Sequence, residues 1–561
     1  MILLTQEEIM KELTYKYRVL DKDCAMFYDE LRGGRAFEKA VFVPNAENKA
    51  RMYKTLDALM FRCELLSAPD EVFAIMKEQI SNFLQAQKLS LKGCFDRPMK
   101  TISNFTYAFQ TYGRKDCRDD ETRADILIAK YNMAEEVWAG IREWLPDVSS
   151  LYLQECIFTI GTMDRTLKFE LTELDKTFPA LSSDKKQMLI DSINALLKNA
   201  ENWKAEANEI LTKKGVVAKN ETTEEDTIKF EESYYRDLLH NELGVNLDTL
   251  IEWHEQEVEK TRAEVFEIVN KLDIPDEKPT TMAGVNDLLN KYAGSFENPD
   301  ILMKKAQEYL DRAAENARKI VPLPEETCEL KGIPEQIKYS YPWGGYGGGC
   351  PIRRPLIGEY YVNDFNYTAV TDGWIKMMAI HESYPGHHVQ FIRATVDTLP
   401  EVIKIGARSI PITEGTAHRS ERVFEYVFAE DQFYPLFVAY RRHHTSVRIK
   451  AEMYLRYFGR PIKDAVDLYV NELGFDRATA RGQVSAQESM QGYFNCYYYG
   501  MKRIEELEKK FGFDQDEYTR YLFDAGRVSL ELFERFLALS PEDKHRYTHD
   551  FASIIQFGEE I

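Results

Sequence analysis

Apolar residues recur at helical spacing along the first 320 residues of the chain. Two clear groups are Ile9, Leu13, Tyr17 and Leu20, and Met52, Leu56, Leu59 and Met60. A spacing of three to four residues places side chains on one face of an α-helix, and the alternation typical of β-strands is rare here. The pattern predicts a helical N-terminal region over residues 1–320.

Turn and capping residues mark where these helices begin and end. Pro69-Asp70 is typical of a helix start, because an aspartate side chain can accept hydrogen bonds from the free N–H groups of the first turn. Ser183-Asp184 predicts a second start. Gly215, which follows two lysines, predicts the end of that second helix.

The helical period is lost between residues 321 and 358, a stretch that contains six of the 20 prolines and seven of the 29 glycines. Its glycine run, Trp343–Gly349, is not followed by the GK[ST] sequence of a nucleotide-binding loop. We therefore expect either a flexible lid beside a site or an interdomain linker. Glu359–Asn363 predicts a short strand, so residues 321–365 form a Pro/Gly-rich loop with one strand.

Helical patterns resume near residue 366 and continue to the end, which predicts a helical catalytic region over residues 366–561. The expected fold is mainly α, with very little β: a large multi-helix body with a central cleft and a zincin-like metal-binding helix. Whether the regions 1–320 and 366–561 are separate domains or one continuous domain is left open.

Charge and cysteine content narrow the functional classes. The chain has 72 Lys and Arg against 93 Asp and Glu, a net charge of −21, so nucleic acid and anionic membrane surfaces are not expected partners. The eight cysteines form no CxxC pair, and no apolar run is long enough to span a membrane. With only four apolar residues before the first acidic ones, a secretory signal is not expected, and we predict a cytoplasmic protein.

Six of the ten histidines lie between residues 381 and 444. His381-Glu382 stands at the end of an apolar stretch, like the first half of the HExxH motif, in which two histidines one turn apart hold zinc and the glutamate activates a water. The residue one turn after His381 is Pro385, so the second ligand is either His387 or His388. In a straight helix His387 would lie about 120° away from His381. Pro385 and the following glycine permit a bulge that returns His387 to the metal.

A third ligand is expected from a second helix. Thr413 is a plausible N-cap, and Glu414, His418 and Glu421 would then share one face of the helix that follows. Two carboxylates and an imidazole on this face can provide a metal ligand and a partner that orients it. A polar helix face with an ordinary capping carboxylate is the alternative.

The segment Met377–Gln390, MMAIHESYPGHHVQ, resembles the HEAxPGHHLQ motif of the bacterial domain-of-unknown-function family 885, whose members look like zincin-type metallopeptidases. Three weaker elements resemble the family's GxYYVN, EGWAxYxE and SYxxG stretches: Gly358–Asn363, Glu414–Glu421 and Tyr497–Gly500. Together the matches cover roughly residues 335–540. Thr416 and Arg419 replace the family's Trp and Tyr, which leaves the identity of the substrate open.

The spacing of Glu414 and Glu421 is also similar to the third-ligand helix of Taq-type carboxypeptidases, a helical family with a deep central cleft. This resemblance implies that Glu414 binds the metal and that Glu421 supports a ligand. His388 and His418 are expected to be supporting residues or alternate ligands.

Two further clusters are candidates for substrate contacts. Three consecutive tyrosines, Tyr497 to Tyr499, cannot share one helix face, so at least one points toward a cleft or solvent. We expect Tyr497 to donate a hydrogen bond to a developing oxyanion, with core packing as the alternative. The run Arg441–His444 is either a clamp for a substrate carboxylate or a solvated basic patch.

The predicted function is that of a zinc-dependent hydrolase, a carboxypeptidase-like metallopeptidase by resemblance, acting on a short peptide or small amide. His381, His387 and Glu414 would bind Zn²⁺, with Mn²⁺ or Co²⁺ also compatible; Glu382 would be the general base and Tyr497 a second catalytic group. The alternatives are a metal-dependent hydrolase or lyase of a non-peptide small molecule, and a metal-free helical binding protein. Homo-oligomerisation is left open.

Overall fold

The computed structural model describes residues 5–32, 41–217, 222–228, 230–335, 338 and 343–555. The helices before the proline-rich stretch are α1 (Gln6–Arg32), α2 (Ala46–Leu65), α3 (Glu71–Asp96), α4 (Met99–Ala108), α5 (Asp120–Asn132), α6 (Ala134–Arg142), α7 (Ser150–Thr177), α8 (Ser183–Lys213), α9 (Glu232–Asp237), α10 (Leu247–Lys271), α11 (Met282–Tyr292) and α12 (Pro299–Ile320). The helices after it are α13 (Asp372–Met378), α14 (His387–Val396), α15 (Glu401–Ile405), α16 (Ile410–Val423), α17 (Tyr434–Glu452), α18 (Ile462–Leu473), α19 (Arg477–Ser489), α20 (Asn495–Phe511), α21 (Gln515–Asp524), α22 (Leu530–Ala538) and α23 (Pro541–His549). Short π-helical turns extend four of them, at Phe109–Lys115, Leu238–Leu243, Ala379–Ser383 and Met453–Tyr457. The prediction of a mainly α fold is confirmed.

Local capping explains several of these boundaries. Asp70 caps α3, and its side chain accepts a hydrogen bond from the N–H of Phe73 at 3.1 Å, as the Pro69-Asp70 pair predicted. Helix α8 begins at Ser183 and ends at Lys213, as predicted. Gly215 follows that end with φ of 74°, a conformation that glycine adopts without steric cost.

A small sheet lies in the proline- and glycine-rich stretch. Its strands are β1 (Glu326–Gly332), β2 (Gly344–Gly347) and β3 (Leu356–Val362), with β3 in the middle, parallel to β1 and antiparallel to β2. The sequence predicted only one strand, near β3. The loop prediction is therefore wrong for β1 and β2, because neither of these two segments carries the sustained alternation of apolar residues that predicts a strand. Residues 336, 337 and 339–342 of the predicted lid or linker lie outside the described residues.

Three clusters of buried apolar side chains form the core. One joins α1, α2 and α3 to α20, α21, α22 and α23, so helices from both ends of the chain share it. The second joins α10, α11 and α12 to α13, α17, α18 and the sheet, and the third lies among α4 to α8. The division of the chain near residues 320 and 365, and the central cleft, stay predictions.

All eight cysteines are free, and all but Cys117 are buried. Although the cysteines are scattered along the sequence, Cys350 and Cys117 bring their sulfur atoms to 3.2 Å. Among the described residues, no helix is long and apolar enough to cross a membrane.

Candidate metal centre

The helix that carries His381 is interrupted where the sequence predicted it to be. Helix α13 ends at Met378, a π-helical turn follows over Ala379–Ser383, and α14 begins at His387. A Cβ added to Gly386 would lie 1.7 Å from the carbonyl oxygen of His381, so only glycine fits this break. The break changes the direction of the chain between the two histidines, and a regular α-helix through them is absent.

This change of direction brings three polar side chains together. Nε2 of His381 lies 3.6 Å from Oε2 of Glu414, and Nε2 of His387 lies 3.5 Å from the same oxygen. His381 and Glu414 are buried, and His387 is nearly so. Glu414 comes from α16, so the cluster joins two helices and the break between α13 and α14.

The spacing of these atoms fits a metal ion. One ligand atom of each of His381, His387 and Glu414 lies within 4.8 Å of the others. In a tetrahedral zinc site with ligand bonds of about 2.1 Å, the ligand atoms are about 3.4 Å apart, close to the 3.5 and 3.6 Å seen here. Oε2 of Glu414 is buried and has no hydrogen-bond partner among the described residues, which is costly unless another group satisfies it. The donor set therefore fits a transition metal better than it fits an empty hydrogen-bonded cluster.

The other ring nitrogen of each histidine has a partner that orients the ring. Nδ1 of His381 lies 2.8 Å from Oε1 of Glu421, and Nδ1 of His387 lies 2.8 Å from Oε1 of Gln390. Metal-binding histidines commonly donate their second N–H to a carboxylate or carbonyl in this way. The other oxygen of Glu421 contacts Nδ1 of His418 at 2.9 Å, which places His418 behind Glu421 and away from the cluster.

Helix α16 presents its polar face to the cluster because it crosses α20 at very close range. A Cβ on Gly415 would lie 2.4 Å from the carbonyl carbon of Gly500, and one on Gly500 would lie 1.8 Å from the carbonyl oxygen of Pro411. The predicted N-cap at Thr413 is wrong: α16 begins earlier, at Ile410. Pro411 is the reason, because proline is favoured in the first turn of a helix. The shared face of Glu414, His418 and Glu421 is unaffected.

Tyr493 is a contact that sequence reasoning missed. Its hydroxyl donates a short hydrogen bond to Oε1 of Glu414, the oxygen that does not face the histidines. This bond fixes the carboxylate with Oε2 directed at His381 and His387. The aromatic run before Tyr497 was the only signal for it, and its pairing depends on the crossing of α16 and α20.

The electrostatics of the cluster favour a cation. Burial disfavours a charged His381, but Glu414 and Glu421 outweigh this cost and raise its pKa to about 10. Burial likewise opposes the charged form of Glu414, and His387 and His381 nevertheless hold the pKa of Glu414 well below its usual range. The carboxylates that raise the pKa of His381 would attract a metal cation in the same way.

Glu382 and Tyr497 adjoin the same cluster. Glu382 is half-buried and raises the pKa of both His381 and His387 through space, and it forms no hydrogen bond or ion pair within the described ranges. The Tyr497 ring is nearly parallel to that of His381, with the ring centres 5.9 Å apart. Tyr498 and Tyr499 are buried whereas Tyr497 is half-buried, so one of the three tyrosines faces away from the core, as predicted.

His388 lies in a different network. Its Nε2 is 2.5 Å from Glu326 at the start of β1, and Glu326 also accepts a hydrogen bond from Tyr384 and pairs with Arg318. The structure thus places His387, and not His388, beside Glu414. Glu326 was not recognised in the sequence, because nothing local predicts a contact across 62 residues.

We expect His388→Ala to keep the metal and lose stability. His388 and Glu326 are both fully buried, and leaving a buried hydrogen-bonding group without its partner costs about 1–3 kcal/mol. Thermal unfolding together with elemental analysis checks this. A His388→Ala protein that loses its metal at full stability would make His388 the second ligand.

Two residues of α16, Thr416 and Arg419, differ from the family motif. Arg419 pairs with Glu508 of α20 and contacts Thr519, so it stabilises the crossing of α16 and α20. Thr416 is buried, and its hydroxyl has no partner among the described residues. Of the predicted carboxylate clamp, Arg442 is occupied by Glu505 at 2.6 Å and His443 contacts Thr261.

Comparison with solved structures shows the same fold elsewhere. A protein of Colwellia psychrerythraea, described as a "putative lipoprotein", matches with a TM-score of 0.72 and 15% identity over 96% of this chain and 99% of its own. A protein of Shewanella oneidensis, described in the same words and as of unknown function, matches with a TM-score of 0.67 and 14% identity over 96% of this chain and 100% of its own. At these identities the likeness concerns the fold alone. No curated protein matches the chain.

A family model covers nearly the whole chain. The model described as "Bacterial protein of unknown function (DUF885)" matches residues 38–537, a range that contains the histidine cluster and its supporting residues. The match agrees with the resemblance of the HESYPGHH segment to the motif of that family. The chain therefore belongs to DUF885, a family of bacterial proteins of unknown function.

Proposed function

We propose that this protein is a metal-dependent hydrolase that holds one zinc ion on His381, His387 and Glu414. The observation that carries the proposal is the buried Oε2 of Glu414. It has no hydrogen-bond partner within the described ranges and lies 3.6 and 3.5 Å from the two imidazole Nε2 atoms. Two imidazoles and a carboxylate suit Zn²⁺ better than Mg²⁺ or Ca²⁺, and Mn²⁺ and Co²⁺ are compatible.

Zinc in such a site supplies an activated water and polarises a substrate carbonyl. Glu382 is the group of this chain that takes the proton from the water and passes it to the leaving amine. It suits the role because it is half-buried beside both histidines and is not engaged by another side chain in the described part of the chain.

Tyr497 supplies a hydrogen bond to the oxyanion that develops on the carbonyl. Burial and the nearby Glu414 raise its pKa, so the phenol keeps its proton at neutral pH and can donate it in a hydrogen bond. Its ring stacks on that of His381 with ring centres 5.9 Å apart, which places it next to a proposed ligand.

The proposed substrate is a short peptide, with small non-peptide amides as the second class. The resemblance of the HESYPGHH segment to zincin-type metallopeptidases, and of the α16 pattern to Taq-type carboxypeptidases, supports the peptide. A metal-free helical binding protein is the competing function, and metal analysis separates it from both hydrolases.

We expect metal-depleted protein to bind about one equivalent of zinc and to gain hydrolytic activity on a panel of short peptides and small amides. Because the pKa of His381 is raised to about 10, zinc must displace its proton at neutral pH. The apparent zinc affinity should therefore rise with pH toward pH 10, about tenfold per unit for one displaced proton. Calorimetric titration at several pH values measures both quantities.

Two results would contradict the proposal. The first is a protein that binds no transition metal and is not activated by adding one. The second is a zinc affinity independent of pH between 7 and 9, which would mean that zinc displaces no proton from His381.

Location and assembly stay predictions. The cytoplasmic location was inferred from the sequence, and two structurally similar proteins are called lipoproteins, so cell fractionation is the appropriate test. The absence of nucleic-acid and membrane partners, and the question of homo-oligomers, likewise need direct measurement.

A further inference from the structure

Two buried arginines of α17, Arg441 and Arg448, lie near the candidate metal centre without a carboxylate partner. Each is 6% exposed, and neither forms an ion pair with an aspartate or glutamate of the described residues. Arg441 contacts Nδ1 of His444 at 3.4 Å, and its own Nε has no partner. Arg448 donates to the side-chain oxygen of Gln483 at 3.2 Å. Both charges are thus held only by neutral groups.

The chain pairs other buried arginines with carboxylates. Arg442, between these two on the same helix, pairs with Glu505 at 2.6 Å, and Arg456 pairs with Glu452 at 2.9 Å. Burying an unpaired charge is costly, so proteins rarely keep one without a compensating anion. Two arginines of α17 without a carboxylate partner in the described part of the chain therefore indicate a place for an anion from outside it.

Aromatic rings line this place and connect it to the metal centre. The guanidinium carbons of Arg441 and Arg448 lie 5.6 and 5.3 Å from the centre of the Tyr497 ring. Arg441 also lies 5.5 Å from the Trp374 ring, and Arg448 lies 4.6 Å from the ring of Phe494. Tyr497 in turn stacks on His381, so one ring separates the arginines from a proposed ligand.

Arg448 keeps its positive charge at neutral pH, as an anion site requires. Burial and the neighbouring Arg441 lower the pKa of Arg448, but only to about 10. Burial and both arginines push the pKa of His444 well below its usual range, so His444 is neutral and offers no compensating charge. Glu414 acts on Arg448 through space without contacting it.

We propose that Arg441 and Arg448 together bind a carboxylate of the substrate and thereby position it against the metal centre. The proposal rests on the proposed function and narrows the substrates to peptides that carry a carboxylate near the cleaved bond. Guanidinium groups bind carboxylates with paired, charge-assisted hydrogen bonds, and the aromatic walls exclude water from them.

The carboxylate has two sources, the C-terminus of the peptide or an acidic side chain near the cleaved bond. The ring centres of His381 and Tyr497 are 5.9 Å apart, and the guanidinium carbon of Arg441 lies 5.6 Å from the centre of the Tyr497 ring. An extended peptide advances about 3.3–3.6 Å per residue. A carboxylate within about one to three residues of the reacting carbonyl therefore reaches the pair.

Binding of three probes to the full-length Glu382→Gln protein tests this without turnover. The probes are trialanine, its C-terminal amide, and the amide of Ala-Glu-Ala. Their binding is measured by calorimetry and by the fluorescence of Trp374, which lies beside Arg441. We expect trialanine to bind at least tenfold more tightly than its amide if the C-terminus is bound. A recovered affinity for the Ala-Glu-Ala amide assigns the acidic side chain instead. Equal affinities, or no binding of any probe, overturn the proposal.

Variants in the same background locate the effect. Arg441→Gln and Arg448→Gln should each abolish the preference for the carboxylate probe, while the affinity for trialanine amide stays unchanged. Arg441→Lys keeps the charge and should retain part of the preference. Arg442→Gln is the matched control, because that arginine is already paired with Glu505, and it should leave the preference intact. An equal loss of preference in Arg442→Gln would overturn the assignment.

Failure of this inference is distinguishable from failure of the proposed function. A protein without zinc or hydrolysis that still prefers the carboxylate probe contradicts only the hydrolase. A zinc-dependent hydrolase that binds acid and amide equally contradicts only the role of the two arginines.

Discussion

Glu414→Ala is expected to empty the metal centre, whereas Glu382→Gln should leave the metal content unchanged and abolish turnover. Glu414 directs its unpartnered oxygen at both histidines, so its loss removes a ligand and leaves the two imidazoles with no anion between them. Glu382 forms no hydrogen bond or ion pair within the described residues, so an isosteric amide removes the base and disturbs nothing else. His381→Ala should behave like Glu414→Ala.

The expected magnitudes separate the two roles. Removing a general base costs about 10²–10⁴ in rate. Mutating a residue that only hydrogen-bonds a metal ligand typically lowers metal affinity by roughly 10–100-fold. Loss of Glu414 or His381, which are proposed ligands, should weaken zinc binding by more than this. Zinc content by elemental analysis and steady-state rates on the best peptide of the panel measure both.

A glutamate outside the centre provides the control for these variants. Glu425, half-buried in the turn after α16, should tolerate Glu425→Gln with unchanged zinc and rate. If Glu382→Gln retained a near-parental rate, Glu382 would not be the base and another group would have to accept the proton.

Gly386→Ala is expected to lose the metal through geometry alone, although it removes no ligand. The added Cβ would lie 1.7 Å from the carbonyl oxygen of His381. The backbone must therefore move at His381 or at His387, which follows Gly386, and both histidines are proposed ligands. A displacement of about 1 Å at a catalytic site can cost about 100-fold in activity. We expect a loss of zinc and at least that loss of rate.

Gly482→Ala is the matched control for this substitution. Its Cβ would meet nothing within 4 Å, so it should keep both zinc and activity and should stabilise the interior of α19 slightly. The companion change of Pro385-Gly386 to Ala-Ala favours a continuous helix, by about 3 kcal/mol for the proline and about 1 kcal/mol for the glycine. A Gly386→Ala protein that binds zinc as tightly as the parent would show that the break is not needed for the site.

The sequence by itself determined the features that depend on near neighbours. The mainly α fold follows from the spacing of apolar residues, and the cap at Asp70 and the end after Lys213 follow from the side chains at those positions. The interruption before His387 could be predicted in the same way, because a proline and a glycine disrupt a helix wherever they occur. The sequence also contains the residue types that a metal site needs, and it identified His381 and Glu414 as candidate ligands.

The tertiary structure decided everything that depends on distant partners. Glu414 owes its orientation to Tyr493, 79 residues away, and His388 is held by Glu326, 62 residues away. Neither contact has a local sequence signal, since each depends on how closely two elements pack. The same is true of Arg441 and Arg448. Nothing in the sequence distinguishes these two arginines from Arg442. Only the packing of α17 against α20 shows that Arg442 has a carboxylate partner and that the other two have none among the described residues.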